Sequence, residues 1–194
     1  MASQPTYAQL VSLACHDLRT PLATATGFAH TLQRLDPLAP PADRYVEMIR
    51  AATEQMAQLL DLLAAATRIE SGRFEPHVRR VDSLELAQGA VRLLDVGEAD
   101  VSGNGVEIEV DPPLTEKSVA ALAECVRRHG GHERVELTVR GDEISVEPLT
   151  GDVGGIAVGD DLRDFGAAVA SRVIRALGGS VTAEDGALRI SLPR

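Results

Sequence analysis

The chain has 194 residues, 44% hydrophobic and 25% charged, which suits one ordinary domain or two small ones and argues against disorder. A formal net charge of −10 and an aromatic content of 3%, with no Trp, exclude the basic stripe and the base-stacking platform of a nucleic-acid binder. Two cysteines, Cys15 and Cys125, exclude a disulfide framework and fit a reducing, cytoplasmic compartment. No apolar run approaches the roughly 20 residues of a membrane span, and the amino terminus lacks a basic and then apolar signal.

The first 71 residues predict two long helices, 5–35 and 42–70. In the first, Leu10, Leu13, Leu18, Leu22, Ala25, Phe28, Leu32 and Leu35 recur at helical spacing. The segment LDPLAPPAD (35–43) then holds Pro37, Pro40 and Pro41, which end a helix by removing N–H donors and clashing with the preceding turn. Asp36 or Asp43 is a candidate cap for a neighbouring end. In the second helix Tyr45, Met48, Ile49, Ala52, Met56, Leu59, Leu63 and Ala66 form a near-heptad stripe. One hairpin cannot bury two such stripes, so a four-helix bundle made by two chains is expected.

Within the first helix, CHDLRTPLATATGF (15–28) is the most informative stretch. Pro21 costs a helix interior about 3 kcal/mol, and its place one turn past His16 suggests a shaped site, the alternative being a surface histidine on a kinked helix. Asp17 is the adjacent carboxylate. Thr20 lies one turn from His16 on the same face. A neutral imidazole is nucleophilic near neutral pH, a carboxylate can manage its proton, and a hydroxyl can hold a water or a phosphoryl oxygen over it.

Residues 72–194 change character. Helical stretches are predicted near 82–95, 115–129 and 164–177. A strand is predicted at 106–110. Two hairpins are predicted, one of 134–141 with 143–149 around Gly141-Asp142 and one over 179–192 around Asp185-Gly186. The pattern predicts an α+β domain of one sheet with helices on one face. Gly151–Gly155 is glycine-rich without a P-loop ending and predicts a mobile loop. His129 and His132, with Glu133 adjacent, fall at a Gly130-Gly131 turn with no further ligand nearby in sequence, too few for the four of a structural zinc site.

HDLRTPL (16–22) resembles the phosphoacceptor box of bacterial two-component sensor histidine kinases. RIESGRF (68–74), the helical hairpin and the order of the downstream elements extend the resemblance over nearly the whole chain. FGAAVASRVIRALGGSVTAEDGALRISLP (165–193) looks like the end of that family's ATP-binding domain. The resemblance implies a dimerisation and histidine phosphotransfer hairpin over 1–71 and a degenerate ATP-binding-like domain over 72–194. It implies that His16 carries phosphate, that Asp17 assists proton transfer and that Thr20 positions water. Arg19 and Pro21 match the same box and are expected to meet the partner.

The nucleotide half departs from the family pattern. The asparagine that would hold Mg²⁺ falls at or near Cys125. The Asp expected to read adenine falls at Pro148 or Leu149, with a displaced Asp152-x-Gly154, and only Gly166 remains of the second glycine motif. The chain's single asparagine, Asn104, is expected in a loop. Residues 141–164 hold seven carboxylates and one base, Arg163, which disfavours a triphosphate. The first reading is therefore a dimeric histidine phosphotransferase that exchanges phosphate between His16 and a response-regulator receiver aspartate. It resembles ATP-blind members of this architecture, with no cofactor expected and ATP with Mg²⁺ only if the divergent site works. The alternatives are an ATP-dependent histidine kinase and a non-catalytic dimeric scaffold. No sensor segment precedes the hairpin, so the input is expected from another protein or from further chain.

Overall fold

The computed structural model describes residues 7–35, 42–94 and 97–194. The predicted break, with Pro37, Pro40, Pro41 and the Asp36 cap, lies outside them. The chain divides into two compact units, Met1–Gly72 and Arg73–Arg194.

The first unit consists of α1 (Tyr7–Leu35) and α2 (Ala42–Glu70), packed on one another. Helix α1 runs unbroken through Pro21. Downstream of it, the hydroxyls of Thr24, Thr26 and Thr31 donate to the carbonyls of Thr20, Leu22 and Gly27, each four residues back. The seam of the hairpin is narrow. Cys15 and Ala29 from α1 and Val46, Leu62 and Ala65 from α2 are buried. Leu18, Phe28 and Leu32 on α1 and Tyr45, Met48, Ile49 and Met56 on α2 are exposed, so a large part of the predicted stripe, among the described residues, is left uncovered by the hairpin itself. No helix among the described residues is long and apolar enough to cross a membrane.

The second unit is a mixed sheet with helices. A five-stranded sheet runs in the order β2 (Ala99–Gly105), β4 (Val135–Gly141), β5 (Glu143–Glu147), β7 (Ala187–Ser191), β6 (Ser180–Glu184). The β2–β4 pair is parallel and the others are antiparallel. Both predicted hairpins are present, as is the 106–110 strand, here β3 (Glu107–Val110). The expectation of one sheet is corrected: β3 pairs antiparallel with β1 (Arg79–Asp82) in a separate two-stranded sheet. Asn104 lies in β2, not in a loop.

The helices are α3 (Ser83–Val91), α4 (Pro112–Gly130), α5 (Val153–Ala157) and α6 (Phe165–Ala176). Helix α4 begins three residues before the predicted start, because Pro112 and Pro113 occupy the first turn, where a missing N–H costs nothing. The Asp111 carboxylate accepts from the Leu114 N–H at 3.3 Å, and Gly131 ends the helix at φ 68°. Helix α4 packs on α6 and against β4 and β5. Leu122, Val126, Val173 and Ile174 are buried in the same core as Leu137, Ile144 and Ile190 of the sheet. Of the stretch predicted to be a mobile loop, Gly151 and Asp152 form a turn and Val153–Gly155 begin α5. The Ser171 hydroxyl donates to the Ala157 carbonyl at 2.8 Å and Arg175 donates to the Val158 carbonyl at 2.9 Å, fastening this short helix to α6.

Gly103 sits in β2 at φ 110°, and a Cβ there would stand 2.0 Å from the Val139 carbonyl oxygen across the ladder. Gly103→Ala is expected to destabilise the second unit by about 2 kcal/mol or more. Urea denaturation followed by circular dichroism checks this, and an unchanged midpoint would refute it.

Candidate functional site

Burial of Cys15 sets the orientation of its neighbours. With Cys15 turned into the hairpin at 1% exposure, His16, one position on and about 100° round the helix, faces solvent. Thr20, one turn further, is exposed as well. Burial raises the Cys15 thiol above its ordinary value, against the opposing pull of Arg19, so this cysteine acts as a small apolar residue. The side chains of Asp17 and Pro21 lie outside the described residues.

Arg19 is engaged within its own unit. Its guanidinium donates to the Asp61 carboxylate at 2.6 Å, bridging α1 and α2 beside His16. Both groups are partly exposed, so the pair is worth roughly 0–1 kcal/mol and can exchange for another carboxylate. The site thus presents an imidazole, a hydroxyl and a cation within one and a half turns of a single helix.

In the second unit, the region expected to hold a nucleotide is knitted by ion pairs. Asp164 precedes α6, is 5% exposed and is the cap of that helix, its Oδ1 accepting from the Ala167 N–H at 2.9 Å. Its Oδ2 accepts from Arg128 at 2.5 Å and lies 3.0 Å from His129 Nε2, both on the last turn of α4. Desolvation would raise this carboxyl. The Ala167 N–H, the Arg128 guanidinium and His129 together outweigh it and hold the group below the ordinary carboxylate value. Cys125, one turn before His129 and fully buried, is pushed up to about 12, chiefly by desolvation and then by the Asp164 charge.

The structure modifies the electrostatic argument made from sequence. Four of the seven acidic groups counted between 141 and 164 have basic partners. Asp142 pairs with Arg194, Glu143 with Arg189, Asp161 with Arg163, and Asp164 with Arg128. Three of those bases come from outside the counted segment. The metal reading also changes. His129 and His132 do not converge, since His132 turns to the Thr150 hydroxyl at 3.2 Å. His129 meets Asp164, thirty-five residues away, and Cys125. The Cys125/His129 spacing of four on one helix was visible in the sequence, but nothing there indicated Asp164.

An acceptor-type helical hairpin with an exposed histidine, followed by an α/β domain, defines a signalling protein of the histidine-kinase type. Residues 7–72 match the family of His Kinase A (phospho-acceptor) domains. The chain is 30% identical over 172 residues to the histidine protein kinase DivJ of Caulobacter vibrioides, covering 82% of this chain and 28% of that protein. It is 32% identical over 113 residues to the probable sensor histidine kinase TcrY of Mycobacterium tuberculosis, covering 58% of this chain and 22% of that protein. The chain therefore spans about a quarter of the length of these curated relatives. Among solved structures, full-length ShkA in complex with AMPPNP shares the fold with a TM-score of 0.59 at 20% identity, covering 97% of this chain and 46% of that one. The Acinetobacter baumannii histidine kinase AdeS does so with a TM-score of 0.55 at 16% identity, covering 92% of this chain and 97% of that one. The phospho-acceptor match over residues 7–72 and the likeness to these curated relatives support a two-component sensor histidine kinase family.

Asp164 caps one helix and holds the end of another, so Asp164→Ala is expected to lower the unfolding free energy by about 1–2 kcal/mol for the lost cap alone. Arg128→Ala, which removes a half-exposed partner, should cost less than about 1 kcal/mol. Chemical denaturation of both variants checks the ranking, and the reverse order would refute the role given to Asp164.

Proposed function

We propose that this protein is a dimeric histidine phosphotransferase of two-component signalling, in which His16 exchanges a phosphoryl group with the aspartate of a response-regulator receiver domain. The observation that carries this reading is the exposure of His16 and Thr20 on α1, inside the stretch that matches the phospho-acceptor family. Phosphoryl transfer proceeds through a loose transition state, so the protein's work is to position groups and stabilise charge. His16 supplies the acceptor nitrogen, Asp17 manages the imidazole proton, and Thr20 holds water for any hydrolysis. Arg19 can leave Asp61 to meet the incoming acidic receiver, and Pro21 shapes the turn they share. The uncovered apolar stripe of the hairpin supports a two-chain bundle.

The second unit serves in this reading for docking or packing, without ATP or Mg²⁺. No asparagine occurs on α4, and the seam between α4 and α6 is occupied by the Asp164, Arg128 and His129 network. The rival reading, an ATP-dependent histidine kinase, draws on the kinase-type fold and on the AMPPNP bound in the ShkA structure. Calorimetry with ATP and Mg²⁺ separates the two. Weak or no binding is expected, and a low-micromolar dissociation constant would favour the kinase.

Labelled phosphate should pass from a phosphorylated receiver to wild-type protein in acid-labile form. His16→Gln should abolish this while changing stability by less than about 0.5 kcal/mol, since the side chain is exposed. Asp17→Asn should slow the transfer. Thr20→Ala should spare transfer and slow water-driven loss of label. Label acquired and passed on by His16→Gln would overturn the assignment. Light scattering should show a dimer for wild type, and Ile49→Glu should shift it to monomer. A wild-type monomer at micromolar concentration with folded helices would refute the bundle.

A further inference from the structure

The strongest chemistry left unused by this reading is the cluster of Cys125, His129 and Asp164. Their ligand atoms, one sulfur, one imidazole nitrogen and one carboxylate oxygen, all lie within 4.8 Å of one another. Cys125 and His129 are four residues apart on one face of α4, and Asp164 approaches from the start of α6. Tetrahedral zinc holds ligand atoms about 3.5 Å apart. His129 Nε2 and Asp164 Oδ2 already lie 3.0 Å apart, so small side-chain rotations close the remaining distance.

We propose that Cys125, His129 and Asp164 form a binding site for a borderline-soft divalent cation of the zinc type, joining α4 to α6. The donor set decides the class of metal. Thiolate and imidazole are poor ligands for Mg²⁺ and Ca²⁺, which take oxygen donors, and good ones for Zn²⁺. The carboxylate is already divided between two tasks. Oδ1 accepts from the Ala167 N–H and fixes the group, while Oδ2 faces the cluster. The present occupant of that face is the Arg128 guanidinium, whose side chain is 53% exposed and can swing into water as the cation takes its place. His129, at 25% exposure, leaves the open side from which water completes four-coordination. The exchange balances. The Cys125 thiol releases its proton to solvent as a sulfur–zinc bond forms, neutral His129 gives a nitrogen lone pair, and the already ionised Asp164 gives an oxygen. Two anionic ligands offset the divalent charge, and no electron is transferred. The inference stands apart from phosphotransfer at His16, and the failure of either leaves the other intact.

The test uses the full chain. Competition between metal-free protein and a chromophoric chelator for Zn²⁺ should give one site per chain with a dissociation constant of about 1 µM or tighter. Co²⁺ should give thiolate-to-metal absorption in the near ultraviolet. Cys125→Ser should remove that absorption and weaken Zn²⁺ binding about 100-fold or more. His129→Gln should weaken it about as much, whereas His132→Gln should leave it unchanged. Zn²⁺ should raise the thermal unfolding midpoint of wild type by several degrees and that of His129→Gln by much less. If Cys125→Ser does not fold, His129→Gln, at a partly exposed side chain, decides the matter alone. Wild type binding no better than His129→Gln, or loss of the site in His132→Gln, would overturn the proposal.

Discussion

A carboxylate taken out of water must be met by donors or lose its charge, and Asp164 is the place where this constraint organises the second unit. One oxygen closes the first turn of α6 and the other receives the end of α4. Helices α4 and α6, with α3, pack on the sheet. A single group therefore sets where α6 begins and how its amino terminus meets the carboxyl terminus of α4. The charges are arranged with the helix dipoles: the acid stands at an amino-terminal end, and Arg127 and Arg128 stand at a carboxyl-terminal end.

The first unit obeys a different constraint. Its helices are long, and among the described residues the hairpin buries Cys15, Ala29, Val46, Leu62 and Ala65 while Phe28, Ile49 and Met56 stay outside. Burying Cys15 presents His16, so the residue that packs and the residue proposed to carry phosphate are chain neighbours.

What the sequence announced, and what it did not, has a physical explanation in each case. The hairpins β4–β5 and β6–β7 alternate apolar and polar residues around Gly141 and around Asp185-Gly186, all in left-handed conformations that those residue types tolerate. Strand β2 was invisible because ADVSGNG has almost no strand propensity; its conformation is imposed by parallel pairing with Val135–Gly141. The end of β1 was hidden because Asp82 closes a four-residue strand and then caps α3 through the Leu84 N–H at 2.8 Å. In the site, His16 and its box were plain from local sequence. The meeting of Cys125 and His129 with Asp164 was not, since it depends on two helices brought together by the sheet beneath them. Counting charges along the chain also misjudged the local field, because Arg128, Arg189 and Arg194 arrive from distant segments.

The edges of the five-stranded sheet carry a further consequence. One edge is β2, with Asp100, Asn104 and the kink at Gly103, and the other is the short β6, ending at Glu184. Neither is a long, flat, apolar strand, so neither is a good template for strand addition by a second molecule. The sheet is thereby insulated from edge-to-edge growth. The proposed two-chain bundle would then leave self-association to the helices, a saturable contact in place of the open-ended polymer that an unguarded sheet invites.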